Sequence, residues 1–313
     1  MIKTAISCVL GILISLSANA EHPVFSSDEG SLSISVIDAQ TDEVVSTIKG
    51  VGKPRGLTFC ANDSRLFVTD QENAQLMVLD VQAQVVKARI DLGKSPEAVY
   101  CSPNGKLLAV SNEESNSVSF ISTLDLKTVF SVTVKGKNPE HSVFSPDGRF
   151  VLVSAEEADQ VDVIDVQQRR QVASIQVGER PRGIAFSPDG QRAYVAVESA
   201  SLLAVIDMTQ LKTIDKLVVG HRTNGLLLHP NGRVLFATNG GDAEVAVIDT
   251  QTLKVVARVP VGQRPWNMSI TLDGRKLYVA AGRSNAVSVV DAIEFKPLKS
   301  IPVGKLPWGT ASN

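Results

Sequence analysis

Two columns of residues hold the side chains of this sequence best suited to chemistry. Seven segments open in the same way, usually with proline, and just after that first residue stand Arg55, Glu97, Glu140, Arg182, Asn224, Trp266 and Trp308. Just before it stand Lys53, Ser95, Asn138, Arg180, Arg222, Arg264 and Leu306. Guanidinium forks match carboxylate and phosphate oxygens two at a time, and indoles offer flat stacking surfaces. Arg55, Arg180, Arg182, Arg222 and Arg264, with Trp266 and Trp308, therefore suit a planar anionic small molecule or a partner's surface loop. The sequence has 2 Trp, and both fall in one column. Glu97, Glu140 and the adjacent His141 are the groups fit for general acid/base work. A second reading pairs these arginines with acids of a neighbouring loop, Glu29, Glu113, Glu156, Glu198 and Asp242 among them, as charged rims commonly do.

Other chemistries are not encoded in recognisable form. No G-x-S-x-G, H-E-x-x-H, Walker A or zinc-spaced Cys/His set occurs, so no catalytic triad, metal centre or nucleotide cradle is expected. Of the 4 histidines, His229 stands where other units carry Ser in a turn, and it reads as a turn residue. Cys60 and Cys101 lie at matching places of adjacent units. They are either a cross-unit disulfide or two buried small side chains. Neither belongs to a C-x-x-C or C-x-x-C-H context.

The elements that must position these columns emerge from internal repetition. The segments PRGLTFCAND, PEAVYCSPNG, PEHSVFSPDG, PRGIAFSPDG, TNGLLLHPNG, PWNMSITLDG and PWGTASN follow one another at intervals of 42, 43, 42, 42, 42 and 42 residues. A second marker keeps the same period, with Asp38, Asp80, Asp165, Asp207, Asp249 and Asp291 closing aliphatic runs and Ser122 in the remaining slot. Because it recurs, this Asp is read as structural, accepting from backbone N–H groups of the following turn. Each period holds four short runs rich in Val, Ile, Phe and Tyr, separated by turn residues such as Ser187-Pro188-Asp189-Gly190.

Four strands in about 42 residues make a propeller blade. Six units are complete, from Pro54 to Leu306. Residues about 23–53 supply three strands, and 307–311 supply the innermost strand of that first blade. The expectation is an all-β, seven-bladed propeller of four-stranded antiparallel blades, closed by pairing of the two chain ends. Closure removes the open sheet edge.

The 313 residues carry Lys+Arg 31 against Asp+Glu 33, a formal net charge of -2, with 43% hydrophobic residues. That balance excludes disorder and the diffuse basic field of non-specific nucleic-acid binders. Residues 1–20 read as a signal peptide: Lys3, an apolar stretch from Ala5 to Leu16, and Ala18-Asn19-Ala20 as the cleavage site. The stretch is short for a membrane span. A periplasmic protein, with 21–313 as a single propeller domain, is expected.

The units resemble the YVTN family of β-propellers. Tyr194-Val195-Ala196-Val197, Tyr278-Val279-Ala280-Ala281, Val247-Ile248-Asp249 and the recurring Val-Gly pairs carry the resemblance across the mature chain. In size and layout the chain is similar to the subgroup of PQQ-dependent catabolism-associated β-propeller proteins. That likeness implies an accessory role in alcohol oxidation, with a quinoprotein dehydrogenase or transporter component as partner. It implies no bound cofactor, since the larger quinoprotein propellers carry a tryptophan-docking pattern that is not found here. The leading expectation is a non-catalytic binding or scaffold protein. The alternative is a lactonase- or lyase-like propeller enzyme using Glu97, Glu140 or His141.

Overall fold

Runs of β-branched and aromatic residues broken by turn residues cannot persist as helix, and in the computed structural model they form strands. The structure describes residues 23–60 and 63–312, so the expected signal peptide, Cys8 and His22 lie outside the described residues. Among the described residues, twenty-eight strands make seven antiparallel sheets of four, and in blades 2 to 7 the strands run in chain order from the centre outward. The inner strands of blades 2 to 7 are Pro54–Phe59, Pro96–Cys101, Pro139–Phe144, Pro181–Phe186, Thr223–Leu228 and Pro265–Ile270. Blade 1 takes its inner strand, Pro307–Ser312, from the C-terminus. It pairs antiparallel with Pro23–Asp28, which leads on to Ser33–Asp38 and Glu43–Lys49. Among the described residues no helix is long and apolar enough to cross a membrane.

Burial explains why alternation is weak in the middle of each blade. The second and third strands pack on both faces against neighbouring blades, as with Leu66, Val68, Met77 and Leu79 between blades 1 and 2. Each such side chain contributes about 1.5–3 kcal/mol on leaving water. The outer strands have one wet face, and Val85–Asp91 alternates accordingly. The core is thus a ring of similar clusters rather than one centre.

The recurring Asp does what its position suggests. In blade 5 the Asp207 carboxylate accepts from the Thr209 and Gln210 N–H groups at 2.8 and 3.0 Å, and Asp38, Asp80, Asp249 and Asp291 repeat the arrangement. His229 is likewise a turn residue: its Nδ1 accepts from the Asn231 N–H at 3.0 Å, so its Nε2–H donates to the Gly274 carbonyl at 2.9 Å. Cys60 and Cys101 are joined as a disulfide with Cα atoms 5.4 Å apart, linking the inner-strand ends of blades 2 and 3.

Candidate functional site at the channel floor

Both columns lie on one face of the ring because one backbone bond in each blade brings two loops together. The carbonyl of the residue before the proline position accepts the N–H of the first residue after the second strand. This holds in all seven blades at 2.9–3.2 Å, as from Glu156 to Asn138 and from Glu198 to Arg180. The arginine column is therefore held beside a second column: Glu29, Gln71, Glu113, Glu156, Glu198, Gly240 and Gly282. The turn requires left-handed backbone at Ser95, Asn138, Arg180, Arg222, Arg264 and Leu306 (φ 50–64°), a modest strain repeated around the ring.

This juxtaposition changes the picture of an arginine-lined mouth open to an anion. Glu198 receives Arg182 Nε at 2.9 Å, Arg222 at 2.9 Å and Arg264 at 2.8 Å. Arg182 also contacts Glu140, and Glu156 at 3.0 Å. Arg180 pairs with Glu156, and Arg55 bridges Glu97 at 2.8 Å and Glu29 at 3.4 Å. All five arginines are thus committed to carboxylates.

The two indoles are not the exposed neighbouring pair that their shared column suggests. Trp308 is 4% exposed, stacked on the His141 imidazole, and the Arg55 guanidinium lies over the indole, 5.2 Å from its centroid. Trp266 is half-buried beneath Arg264 at 4.3 Å. Gly282 and Gly240 make room for this pair. A Cβ on Gly282 would fall 2.8 Å from Trp266 Nε1, and one on Gly240 would fall 2.8 Å from Arg264 Nη1.

Burial and charge tune the acids in opposite directions. Burial pushes Glu97 well above the usual carboxylate range, with Arg55 opposing and Glu140 and Glu113 reinforcing. Burial alone would raise Glu140 too, but Arg182 and its other partners bring it down to about 2. Glu156 is pushed up to about 7 by burial and by its hydrogen bond and charge contact with Glu140. Glu198 is also desolvated, yet its arginines hold it at about 2. Burial lowers His141 to about 4, against the pull of Glu140.

His141 is therefore neutral near pH 7, and its tautomer follows from its neighbour. Burial keeps Tyr100 protonated, and its hydroxyl lies 2.6 Å from His141 Nδ1. With Tyr100 donating to Nδ1, the ring hydrogen sits on Nε2. That Nε2 is buried and has no protein partner, as do Trp308 Nε1, Asn267 Nδ2, the Asn224 amide and Arg264 Nη1. Unpaired buried polar atoms are scarce in folded proteins and cost about 1–3 kcal/mol each. Here they gather where the inner strands begin, and Asn267 and Trp308 line the inner end of a central cavity of about 390 Å³. Among the described residues, no cluster of His, Cys, Asp or Glu could hold a metal ion.

The structure thus brings Arg55, Glu97, Glu140, His141, Arg182, Arg264 and Trp308 into one buried assembly. Arg180 and Arg222 stand at its outer edge, half exposed. Cys60 and Cys101 lie at the opposite end of the inner strands. Sequence reading missed Tyr100 and Asn267, which fall outside the two columns. The second sequence reading, in which the arginines pair with acids of the neighbouring loop, is the one the structure shows for Glu29, Glu156 and Glu198.

The family profile described as "Lactonase, 7-bladed beta-propeller" matches residues 37–294. No curated protein sequence matches the chain at a significant level. A protein of unknown function from Desulfotomaculum acetoxidans superposes with a TM-score of 0.84 at 16% identity, over 93% of this chain and 99% of that one. A candidate 6-phosphogluconolactonase from Bacteroides uniformis gives 0.79 at 17% identity, over 94% and 100%. Hydrazine synthase from Kuenenia stuttgartiensis gives 0.73 at 22% identity, over 82% and 89%. At these identities the likenesses establish the fold alone.

Proposed function

This chain belongs to the lactonase seven-bladed β-propeller family, and from that premise we propose that its channel floor binds a small molecule through a carboxyl or lactone group. The observation that carries this reading is the set of unpaired buried donors: His141 Nε2–H, Trp308 Nε1–H, Asn267 Nδ2 and Arg264 Nη1. Donors without partners in a low-dielectric site favour an oxygen-bearing, electron-rich ligand group. Arg55, Arg180, Arg182 and Arg222 hold the acids in place, and Arg264 Nη1 and the smaller donors contact the ligand.

The role is that of an exported binding protein. With a signal peptide and the YVTN resemblance as support, it works in the periplasm beside PQQ-dependent alcohol oxidation, whose products include acids. Its partner is a quinoprotein dehydrogenase or a transporter component, with no cofactor of its own. Native mass spectrometry of protein purified gently from its own compartment tests this. A retained small-molecule mass, lost in Trp308→Phe while the fold is kept, supports the reading. A bare mass, with no binding from a panel of hydroxy acids and their lactones, overturns it.

One observation favours a second reading, lactone hydrolysis. Glu97 is buried against Arg55 at 2.8 Å, and burial raises its carboxyl well above the usual carboxylate range, as a proton-transferring group requires. His141, with Nδ1 engaged by Tyr100, serves as an oxygen-binding donor rather than as the base. Turnover of a lactone that is lost in Glu97→Gln but keeps its binding would establish this reading over the first.

A further inference from the structure

Left-handed backbone recurs around the ring, but its cost is not offset everywhere. The residue before the third strand has a positive φ in all seven blades, and in six of them it is Ala, Asn, Asp or Ser. In blade 1 it is Leu32, at φ 52°. The residue before the inner strand is aliphatic only in blade 1, where Leu306 has φ 50°. A bulky side chain is strained in this region, and Asn tolerates it far better. Elsewhere the left-handed Leu126, Leu211, Leu253 and Phe295 offset the strain by packing against core clusters. Among the described residues Leu32 and Leu306 join no core cluster, and they are 49% and 48% exposed.

The two leucines stand on neighbouring loops that are bonded together. The Glu29 N–H donates to the Leu306 carbonyl at 3.2 Å and the Gly30 N–H to the Lys305 carbonyl at 2.9 Å. The Lys305 N–H returns to Ser31 Oγ at 2.6 Å. Leu306 lies against Gly30, where a Cβ would fall 3.3 Å from its Cδ1. The Leu306 N–H ties in a third loop, donating to Asn285 Oδ1 at 3.0 Å, and that loop carries Arg283. Arg283 and Lys305 are exposed, and among the described residues neither is paired with a carboxylate. Within these three loops the one acid, Glu29, turns inward to Lys53 at 3.2 Å and Arg55 at 3.4 Å.

We infer that this sector of the charged face, formed by blades 7 and 1, is a docking surface for a partner protein. The partner's segment sets an apolar side chain on Leu32 and Leu306 and carboxylates against Arg283 and Lys305. Strain and exposure at both leucines lower stability with no compensating contact inside the chain, as at residues kept for function. Charge selects the kind of partner. A flat anionic membrane would also press on Glu72, Glu114, Glu157 and Glu179, exposed around the rest of the same rim with Lys94 and Lys137 among them. A protein segment is narrow enough to meet the free cations alone. This inference is independent of what binds at the floor.

Photo-crosslinking in cells that make the protein tests it. The photoreactive p-benzoylphenylalanine replaces Leu306 in one variant and Leu124, a 91% exposed turn residue of blade 3, in another. The expected result is an adduct peculiar to position 306, whose cross-linked peptide carries an apolar residue flanked by Asp or Glu when sequenced by mass spectrometry. That peptide, synthesised and labelled, should bind the full chain in fluorescence anisotropy, and more weakly as salt rises. Leu32→Asn/Leu306→Asn and Arg283→Glu/Lys305→Glu should each weaken it about tenfold or more. Asn stands at the matching places of other blades, as Asn116 and Asn138, so the leucine variant should keep or raise Tm. A fall in its Tm of more than a few degrees would make the leucines structural and overturn the inference. So would the lack of an adduct peculiar to position 306, or a cross-linked segment without acids. Capture by vesicles of phosphatidylethanolamine and phosphatidylglycerol, lost in the leucine variant, would replace the protein partner with a membrane.

Discussion

The Trp308 indole and the His141 imidazole stack with centroids 6.1 Å apart and 17° between their planes, although they belong to blades 1 and 4. The channel is therefore crossed at its floor by two rings from nearly opposite sides, each presenting an unpaired N–H. Trp308→Phe keeps an aromatic ring on His141 and removes one donor. It should weaken ligand binding about tenfold or more, the cost of one hydrogen bond to a charged group, while Tm moves by only a few degrees. Equal losses of binding and of Tm would make Trp308 a packing residue only.

Glu198 anchors three guanidiniums, those of Arg182, Arg222 and Arg264, and is itself 1% exposed. Glu198→Ala strands Arg264, whose only carboxylate partner is Glu198, in a desolvated site, while Arg182 keeps Glu140 and Glu156. Breaking such a buried set from one side costs about 3–5 kcal/mol. Thermal unfolding should show a drop of about 10 °C. A change within 2 °C or so would mean that water reaches these guanidiniums in solution.

The low pKa of His141 makes a signed prediction. Its folded value of about 4 lies below the ordinary 6.5, because burial disfavours the cation and Arg182 and Arg55 oppose it while Glu140 favours it. The stability that neutral His141 contributes is fully present above pH 6.5 and is lost as pH falls from 6.5 to 4, by up to about 3 kcal/mol. Glu156 acts in the opposite sense: its folded value of about 7 against 4.5 gives a contribution lost as pH rises through that interval. His141→Gln should therefore flatten the acid side of the stability profile from urea melts at pH 4 to 7. An unchanged acid slope would place a protonated imidazole in the native site.

The Cys60–Cys101 bond closes a loop of sequence separation 41. On the chain-entropy account, opening it costs about 3–4 kcal/mol. Denaturant melts with and without reductant, or of Cys60→Ser/Cys101→Ser, should show that loss.

Ring closure depends on six residues. Ending the chain at Leu306 removes the Pro307–Ser312 strand and uncovers the Pro23–Asp28 edge, including the buried Phe25. The truncated protein should lose more than about 10 °C in Tm or fail to fold cooperatively, as read by calorimetry.

What was legible in the sequence follows from repetition. A period of 42 residues, four apolar runs per period and a proline or its substitute at each start determined the strands, the blade count and the closure by residues 23–53 and 307–311. Backbone register and two-sided burial act on every unit alike, so their signal accumulates. The structural Asp and the turn role of His229 were readable for the same reason.

Only the tertiary structure decided what the two columns do. Whether Arg182 faces solvent or three carboxylates depends on Glu140, in the inner strand of blade 4, and on Glu156 and Glu198, just after the second strands of blades 4 and 5. Whether Trp308 meets Trp266 or His141 depends on how side chains point across the axis, which no period encodes. The sequence by itself determined a seven-bladed ring and the residues on its charged face. Only the closing of that ring decided that the charges pair and that buried donors without protein partners remain beside them, because pairing and burial depend on distances between blades and not on spacing along the chain.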